Sequence, residues 1–341
     1  MEAKMNVRVG INGFGRIGRL AIRAGLQQGG FDFAAINDHK EPKQLAYLFQ
    51  YDSVFGRYPG KVSYTDRCIV IDGKEIPVFN CSDPGEIPWA DQGAEYIVES
   101  TGKFKKAADA SRHLQGGAKK VLITAPGKDC PNFVFGVNSD TYRPEMDIVS
   151  NASCTTNCLA PLAKILDSAF GFRRGIMTTI HAVTTNQNTV DGKAPKGDWR
   201  LGRAAAGNMI PTTTGAAEAV GKVIPHLNGR LTGVAIRVPT LDVSLVDLTA
   251  ELDKSASYEE ICGEIRRATE AEMKESFGYT DEPLVSSDFI GITVGGVFDA
   301  AAGRSIDDHF VKLFAWYDNE YGYTCMAMKM LKHMFETDQG K

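Results

Sequence analysis

Val7-Arg8-Val9-Gly10-Ile11-Asn12-Gly13-Phe14-Gly15-Arg16-Ile17-Gly18 runs from a short apolar stretch straight into three spaced glycines. Residues 7–11 have the character of a buried strand, and from Ile17 to about residue 28 the pattern turns helical. The glycines fall between the two. In a G-x-G-x-x-G turn the first glycine permits the tight bend and the second lets the backbone approach a pyrophosphate. The third lets helix and strand pack closely. The helix that follows offers free N–H groups and the positive end of its dipole to the phosphates. Alone the pattern is weak and reads equally as a ligand-free glycine turn; the strand before it and the helix after it give it weight.

Reading outward, residues 33–36 form a second strand that ends in Ile36-Asn37-Asp38. Asp38 lies 25 residues after Gly13, near the spacing at which an acidic side chain meets the adenosine ribose hydroxyls. A carboxylate there repels a 2′-phosphate, so NAD is expected in preference to NADP. Short apolar runs recur at 96–99, 121–123 and 147–149, each bounded by Gly, Pro, Asn or Ser. Strands alternating with helices imply a parallel, doubly wound sheet.

The second half has another rhythm. Val234, Ile236 and Val238 alternate with small or charged residues, and positions 243, 245 and 247 continue a similar period. Residues 292–298 and 311–316 add two more strands. Such alternation suits a sheet with one covered and one exposed face, mostly antiparallel. A helix over 257–274 opens with a Ser257/Glu260 capping box and carries an apolar stripe of Ile261, Ile265, Ala268 and Ala271. The Met-rich tail, 321–335, reads as a packing helix. The expected architecture is α/β: a Rossmann-type doubly wound parallel sheet plus an α+β catalytic domain with a mostly antiparallel sheet. The first domain spans 1–153 and is rejoined by the C-terminal helix, about 318–341; the second spans 154–317.

The 341 residues suffice for about two domains, and 43% hydrophobic with 23% charged residues is ordinary for a globular chain. A net charge of −4 argues against nucleic acid or an anionic membrane as the main partner. The seven cysteines include no C-x-x-C pair and no zinc spacing, so no metal is expected. Residues 1–9 show no secretory leader, and no apolar run approaches the length of a membrane span. A cytoplasmic protein with reduced thiols is expected.

Ser150-Asn151-Ala152-Ser153-Cys154-Thr155-Thr156-Asn157-Cys158 follows the 147–149 strand and precedes the helical pattern of Leu159, Leu162, Ala163 and Leu166. A cysteine at such a corner feels a helix N-terminus, which favours thiolate. Pro161 leaves two readings, a helix that starts near Cys158 or one that starts earlier and kinks. A thiolate nucleophile needs a base. His181 ends the apolar segment 175–180, where strands deliver side chains to a crevice, but spacing alone does not select it from six histidines. The segment 184–207 is long, polar and aperiodic, either a mobile surface loop or a functional one.

These residues carry a resemblance. The segments 6–19 and 150–158, and Trp316-Tyr317-Asp318-Asn319-Glu320, resemble the phosphorylating, NAD-dependent glyceraldehyde-3-phosphate dehydrogenase family, and the similarity runs from about Asn6 to the C-terminal helix. The cysteine segment is its most specific part. The resemblance implies Cys154 as covalent nucleophile and His181 as base. It implies cofactor contacts at Gly13, Gly15, Arg16, Ile17, Gly18, Asp38, Ser82, Thr124 and Asn319, the last on the nicotinamide carboxamide. Thr184, Arg200 and Arg237 would bind the substrate phosphate, and Ser153, Thr155, Thr214 and Gly215 inorganic phosphate. The loop from Thr184 would be the family's S-shaped loop, packed between subunits of a homotetramer. Ser82 stands where many members carry arginine, which leaves a backbone contact there, and the 191–200 segment is one residue longer than in many relatives. The implied reaction converts D-glyceraldehyde 3-phosphate to 1,3-bisphosphoglycerate in glycolysis, with erythrose-4-phosphate dehydrogenase as the alternative.

Overall fold

The computed structural model describes residues 6–194 and 197–340. The chain divides into two compact units. One comprises the chain through Phe133, Thr141–Ala152 and the chain from Ala327; the other comprises Val134–Asp140 and Ser153–Met326. Relative to the expected division, residues 134–140, Ser153 and 318–326 belong to the second unit. The reason is local packing: Lys164, on the long helix of that unit, donates to the carbonyls of Gly136 and Val137.

The first unit is built on β1 (Val7–Asn12), β2 (Phe31–Asn37), β3 (Val62–Tyr64), β4 (Cys68–Ile71), β5 (Lys74–Phe79), β6 (Tyr96–Glu99), β7 (Lys120–Ile123) and β8 (Ile148–Ser150). Their order is β3-β4-β5-β2-β1-β6-β7-β8. The six from β5 to β8 run parallel, and β3-β4-β5 adds an antiparallel edge that the periodicity had not revealed. Its helices are α1 (Arg16–Gln28), α2 (Pro42–Gln50) and the short α3 (Ala107–Ala110). The strand order reverses at β1, with β2 on one side and β6 on the other, and a crevice forms at the carboxyl ends of strands at such a point.

The second unit carries β9 (Phe172–His181), β10 (Ile210–Thr213), β11 (Leu231–Arg237), β12 (Ser244–Leu252), β13 (Gly278–Thr280), β14 (Val297–Ser305) and β15 (Phe310–Tyr317). They assemble as β10-β11-β9-β12-β15-β14-β13, with four antiparallel and two parallel pairings. Helix α4 (Cys154–Phe170) packs on β9, β12 and β15, with α6 (Tyr258–Glu270) beside it; α5 (Val220–Val223) is one turn. Along β9, Met177, Thr179 and His181 are buried while Ile176 points outward at 62% exposure. This is the alternation expected of a sheet covered on one face. The strand expected over 292–298 begins only at Val297, and the preceding glycines are used for close approach. A Cβ on Gly296 would lie 2.6 Å from the Cys158 sulfur. Helix α6 keeps the expected capping box but ends at Glu270. Helix α7 (Tyr321–Asp338) closes the chain.

Candidate active site

In the first unit, β1 pairs in parallel with β2 and β6 so that Asn12 sits opposite both Asn37 and Glu99. Gly13 follows at φ +90°, and a Cβ there would strike the Thr101 backbone at 2.8 Å. A Cβ on Gly18 would lie 2.1 Å from the Gly13 carbonyl oxygen, while Gly15 faces open space. Helix α1 starts at Arg16 with Gly15 as its N-cap and no side chain capping it. Its first N–H groups are therefore not taken by a capping side chain, and the cradle fits a pyrophosphate laid over Gly15. Arg16 offers this site its backbone, because its guanidinium pairs with Asp52 and lies 5.7 Å from the Phe55 ring.

Asp38 ends β2 with one carboxyl oxygen accepting from the Phe14 amide at 2.8 Å and the other from the amide and ammonium of Lys40, each at 3.0 Å. Burial alone would raise its carboxyl; the Lys40 and Phe14 donors outweigh that and hold it below the ordinary range. It is ionised at neutral pH. Asp38→Ala is expected to raise the NADP-to-NAD ratio of kcat/KM by about tenfold or more through lost repulsion. An unchanged ratio would remove Asp38 from cofactor selection. Ser82 is exposed beside this strand end, where Asn37 clamps Cys81 through its carbonyl and amide. Thr124 donates its amide and hydroxyl to the Glu99 carbonyl, both at 3.0 Å. Beneath the turn lies a buried network that sequence reasoning missed. Trp89 donates to His113 Nδ1 (3.0 Å), which leaves the His113 Nε2–H facing Glu99 Oε2 (3.1 Å). Glu99 also accepts from Asn12 (2.5 Å).

In the second unit, α4 begins at Cys154 itself. Ser153 is the N-cap, its hydroxyl accepting from the Thr156 amide at 3.0 Å, and Pro161 lies inside the helix. The earlier of the two helix starts is therefore the observed one, and Cys154 stands at the first helical position. Its sulfur is 3.6 Å from His181 Nε2. Cys158, one turn on, is buried, and burial pushes its thiol well above the usual range.

Arg237 reaches this pair through register. Strands β11 and β9 run parallel with Arg237 directly beside His181, so both side chains leave the same face of the sheet. Val234 and Ile236 take the other face, and Ala235 is buried with Arg237 on the inner one. Arg237 Nη1 lies 2.7 Å from His181 Nδ1 and 3.2 Å from the Ala182 carbonyl. The guanidinium can only donate to Nδ1, while the Ala182 carbonyl, also 2.7 Å from that nitrogen, can only accept from it, so the two compete for Nδ1; where Arg237 prevails, Nε2 carries the ring hydrogen toward the Cys154 sulfur. Burial and then Arg237 push His181 down to about 3. Burial raises the Cys154 thiol, and Arg237 with the Thr155 amide and hydroxyl only partly offset it. Pro161 had left open whether the helix end favours thiolate. Here the pair is neutral, because burial outweighs the helix N-terminus and the guanidinium discourages charge on the imidazole.

Other side chains divide. The Thr155 hydroxyl meets the Tyr317 hydroxyl at 2.8 Å, and Tyr317 meets Thr179 at 2.7 Å. The Tyr317 ring stands edge-on to His181 at 5.9 Å. Tyr317 and Thr179 thus support the pair, and no local pattern marked them out. The Thr214 hydroxyl accepts from the Ala216 amide at 3.2 Å, and Gly215 is exposed. Thr184 is half-buried, its amide donating to Gln187. Arg200 is exposed in the turn Trp199–Gly202, lining a depression with Trp199, Pro211 and Val234, and Arg237 is not among the residues lining it. Asn319 Oδ1 accepts from the Ser244 hydroxyl at 2.6 Å, which itself accepts from the Ala182 amide at 3.0 Å. The donor end of the Asn319 amide therefore points away from Ser244.

Two family profiles match this chain. The one described as glyceraldehyde 3-phosphate dehydrogenase, NAD binding domain, covers residues 7–107. The one described as glyceraldehyde 3-phosphate dehydrogenase, C-terminal domain, covers 153–319. Among similar proteins, glyceraldehyde-3-phosphate dehydrogenase 2 of Mucor circinelloides f. lusitanicus is 54% identical over 335 residues, 98% of this chain and 99% of the relative. Glyceraldehyde-3-phosphate dehydrogenase 2 of Danio rerio is 55% identical over 328 residues, covering 96% and 97%. The cytosolic glyceraldehyde-3-phosphate dehydrogenase of Craterostigma plantagineum is 53% identical over 332 residues, covering 96% and 98%. With a glycine cradle suited to a dinucleotide, a thiol against an imidazole, and identity above half over nearly the whole length, the chain belongs to the glyceraldehyde-3-phosphate dehydrogenase family.

Proposed function

We propose that the chain oxidises D-glyceraldehyde 3-phosphate to 1,3-bisphosphoglycerate with NAD and inorganic phosphate, as its relatives' names imply for them. The observation that carries this reading is the 3.6 Å contact between the Cys154 sulfur and His181 Nε2, with Arg237 in register beside the ring. Thr184, Arg200 and Arg237 are assigned to the substrate phosphate, and Ser153, Thr155, Thr214 and Gly215 to inorganic phosphate. Thr155 serves through its backbone, since its hydroxyl is engaged with Tyr317. Gly13, Gly15, Arg16, Ile17, Gly18, Asp38, Ser82, Thr124 and Asn319 are assigned to NAD.

The chemistry follows from the side chains. The substrate phosphate draws the Arg237 guanidinium off His181. Nδ1–H then donates to the Ala182 carbonyl, already 2.7 Å away, and Nε2 becomes an acceptor facing Cys154. With the guanidinium gone, the ring is also more basic. It takes the thiol proton, and as the Cys154 sulfur attacks the aldehyde carbon the imidazolium returns that proton to the carbonyl oxygen, giving the hemithioacetal and a neutral ring. His181 next removes the hemithioacetal hydroxyl proton as hydride leaves carbon. NAD, when bound, supplies the hydride acceptor. The resulting thioester conserves the oxidation energy until inorganic phosphate attacks its carbonyl, releasing the acyl phosphate and the Cys154 thiolate. A positioned base contributes about 10²–10⁴-fold. His181→Gln is expected to lower kcat by that factor without ending turnover, and a loss under about tenfold would remove His181 from proton transfer.

The overall test is NADH formation with glyceraldehyde 3-phosphate and, separately, erythrose 4-phosphate, each with and without inorganic phosphate. A phosphate-dependent rate on the first is expected. A faster rate on erythrose 4-phosphate, which no relative named here supports, would overturn the assignment. We also propose a homotetramer in the cytoplasm. Ile176 and Val234, exposed at 62% and 51% on the outer sheet face, support assembly. The cytosolic relative supports the location, and no helix among the described residues is long and apolar enough to cross a membrane. Sedimentation at micromolar concentration tests the assembly.

A further inference from the structure

Two carboxyl groups that the mechanism leaves unused lie at the foot of Asn319. Asp242 precedes β12 and Asp318 follows β15; their residues are 4% and 1% exposed. Asp318 is supplied with donors. One oxygen accepts from the Gly291 amide at 2.7 Å, the other from the amides of Glu320 (3.0 Å) and Tyr321 (2.6 Å). Asp242 has no such supply. Among the described residues neither of its buried oxygens has a hydrogen-bond partner, and the nearby Val243 amide only partly offsets its burial. Its carboxyl interacts with that of Asp318 side chain to side chain.

A buried carboxylate with no donor, against another already satisfied by three amides, is stable only as the acid. The Asp242 hydroxyl can then donate to Asp318, and one proton serves both. The backbone gives a second sign. Val243, between Asp242 and Ser244, is held at φ +64°, a costly conformation for a β-branched residue that persists only when its surroundings impose it. That strained link turns Asp242 toward Asp318 while Ser244 reaches Asn319 and the Ala182 amide.

We propose that Asp242 and Asp318 share one proton, and that this shared proton is a latch holding Ser244 and Asn319 in place for the nicotinamide carboxamide. The latch rests on the assignment of Asn319 to NAD made above; the shared proton does not. Asp242 is a positioning residue, acting through Ser244 and Asn319. The charges acting on it, Asp318 and Glu320, are both acidic, and with burial as the largest cause they push its carboxyl up to about 8. The sign follows. A carboxyl raised in the folded protein stabilises it fully below the ordinary carboxyl range, and that contribution is lost as pH rises through 8.

Three measurements test the latch. Infrared difference spectra between the native protein and Asp242→Asn at pH 6 are expected to show the carbonyl stretch of one un-ionised buried carboxyl in the native protein only. Absence of that band overturns the shared proton without any variant's activity being involved. The dissociation constant for NAD is expected to rise about tenfold in the native protein between pH 7 and 9, the limit set by one proton with a pKa near 8. In Asp242→Asn, whose amide still donates to Asp318 and does not titrate, that rise is expected to vanish; superimposable profiles overturn the latch. Asn319→Ala separates the two readings. Unchanged NAD affinity in that variant would overturn the nicotinamide assignment and the latch's purpose together, while the infrared band would still decide the proton.

Discussion

Cys154→Ser is expected to lower phosphorylating turnover by at least about 10³-fold, with NAD binding retained. The sulfur stands at the first position of α4, 3.6 Å from the base, and a serine oxygen would occupy nearly the same place. Geometry would survive; chemistry would not. A serine hydroxyl is a far weaker acid than a thiol, so the attacking anion is scarcely available, and an oxygen ester does not hold the acyl group at the energy of a thioester. Removing a nucleophile that acts as a unit with its base costs on the order of 10⁶-fold in a well-studied case, so 10³ is a lower bound. Initial rates of NADH formation, beside equilibrium NAD binding to show that the variant is folded, decide it. Turnover within tenfold of the native protein would end the covalent mechanism. Alkylation gives a companion reading: modification of Cys154 alone is expected to abolish activity, and bound substrate to protect it.

Arg237→Ala is expected to cut kcat/KM for glyceraldehyde 3-phosphate by about 10²-fold or more, roughly the 3 kcal/mol of a lost charge-assisted contact to phosphate. With unphosphorylated glyceraldehyde no such loss is expected. That substrate has nothing to draw the guanidinium off His181, so in the native protein Arg237 keeps competing with the Ala182 carbonyl for Nδ1. The alanine variant frees Nδ1 to donate to the Ala182 carbonyl and removes the second cause of the depressed ring basicity. Its rate on glyceraldehyde is expected to hold or rise. Arg237→Lys should recover only part of the loss on the phosphorylated substrate, since it keeps charge without the planar fork. Equal fractional losses on both aldehydes would mean that Arg237 supports the fold, and both its phosphate role and the tautomer change would fall.

Against the structure, the local readings fare unevenly. The glycine turn was legible because each requirement is local: a positive φ at Gly13 and close packing at Gly18 restrict those positions to glycine. The Ser257/Glu260 capping box was legible for the same reason, since both partners lie within one turn. The strand expected over 292–298 failed because its apolar letters are shared between strand β14 and a glycine segment that lets α4 approach. The antiparallel edge β3-β4-β5 went unseen because its strands are short and carry few buried residues each. The state of the Cys154 thiol was left open for an energetic reason: burial, which no letter string encodes, raises it against the helix end.

By itself the sequence determined the two kinds of sheet, the dinucleotide turn with its acid at Asp38, and the corner that presents Cys154. The sheet types and the two turns depend on residues a few positions apart, where backbone sterics and side-chain period act directly, and Asp38 on a fixed spacing along one strand–helix–strand unit. Only the tertiary structure decided which distant groups meet. Strand register put Arg237 beside His181, 56 positions away, where it competes with the Ala182 carbonyl for the imidazole Nδ1. Tyr317 bridges Thr155 and Thr179 because β15, α4 and β9 converge. Asp242 meets Asp318 because the loop before β12 and the end of β15 converge, with Ser244 and Tyr317 opposite each other in the ladder. Register across a sheet is set by packing a whole face against its helices, at a loop-closure cost nearly indifferent to the intervening sequence. The chemistry of those pairs therefore exists only once the chain has folded.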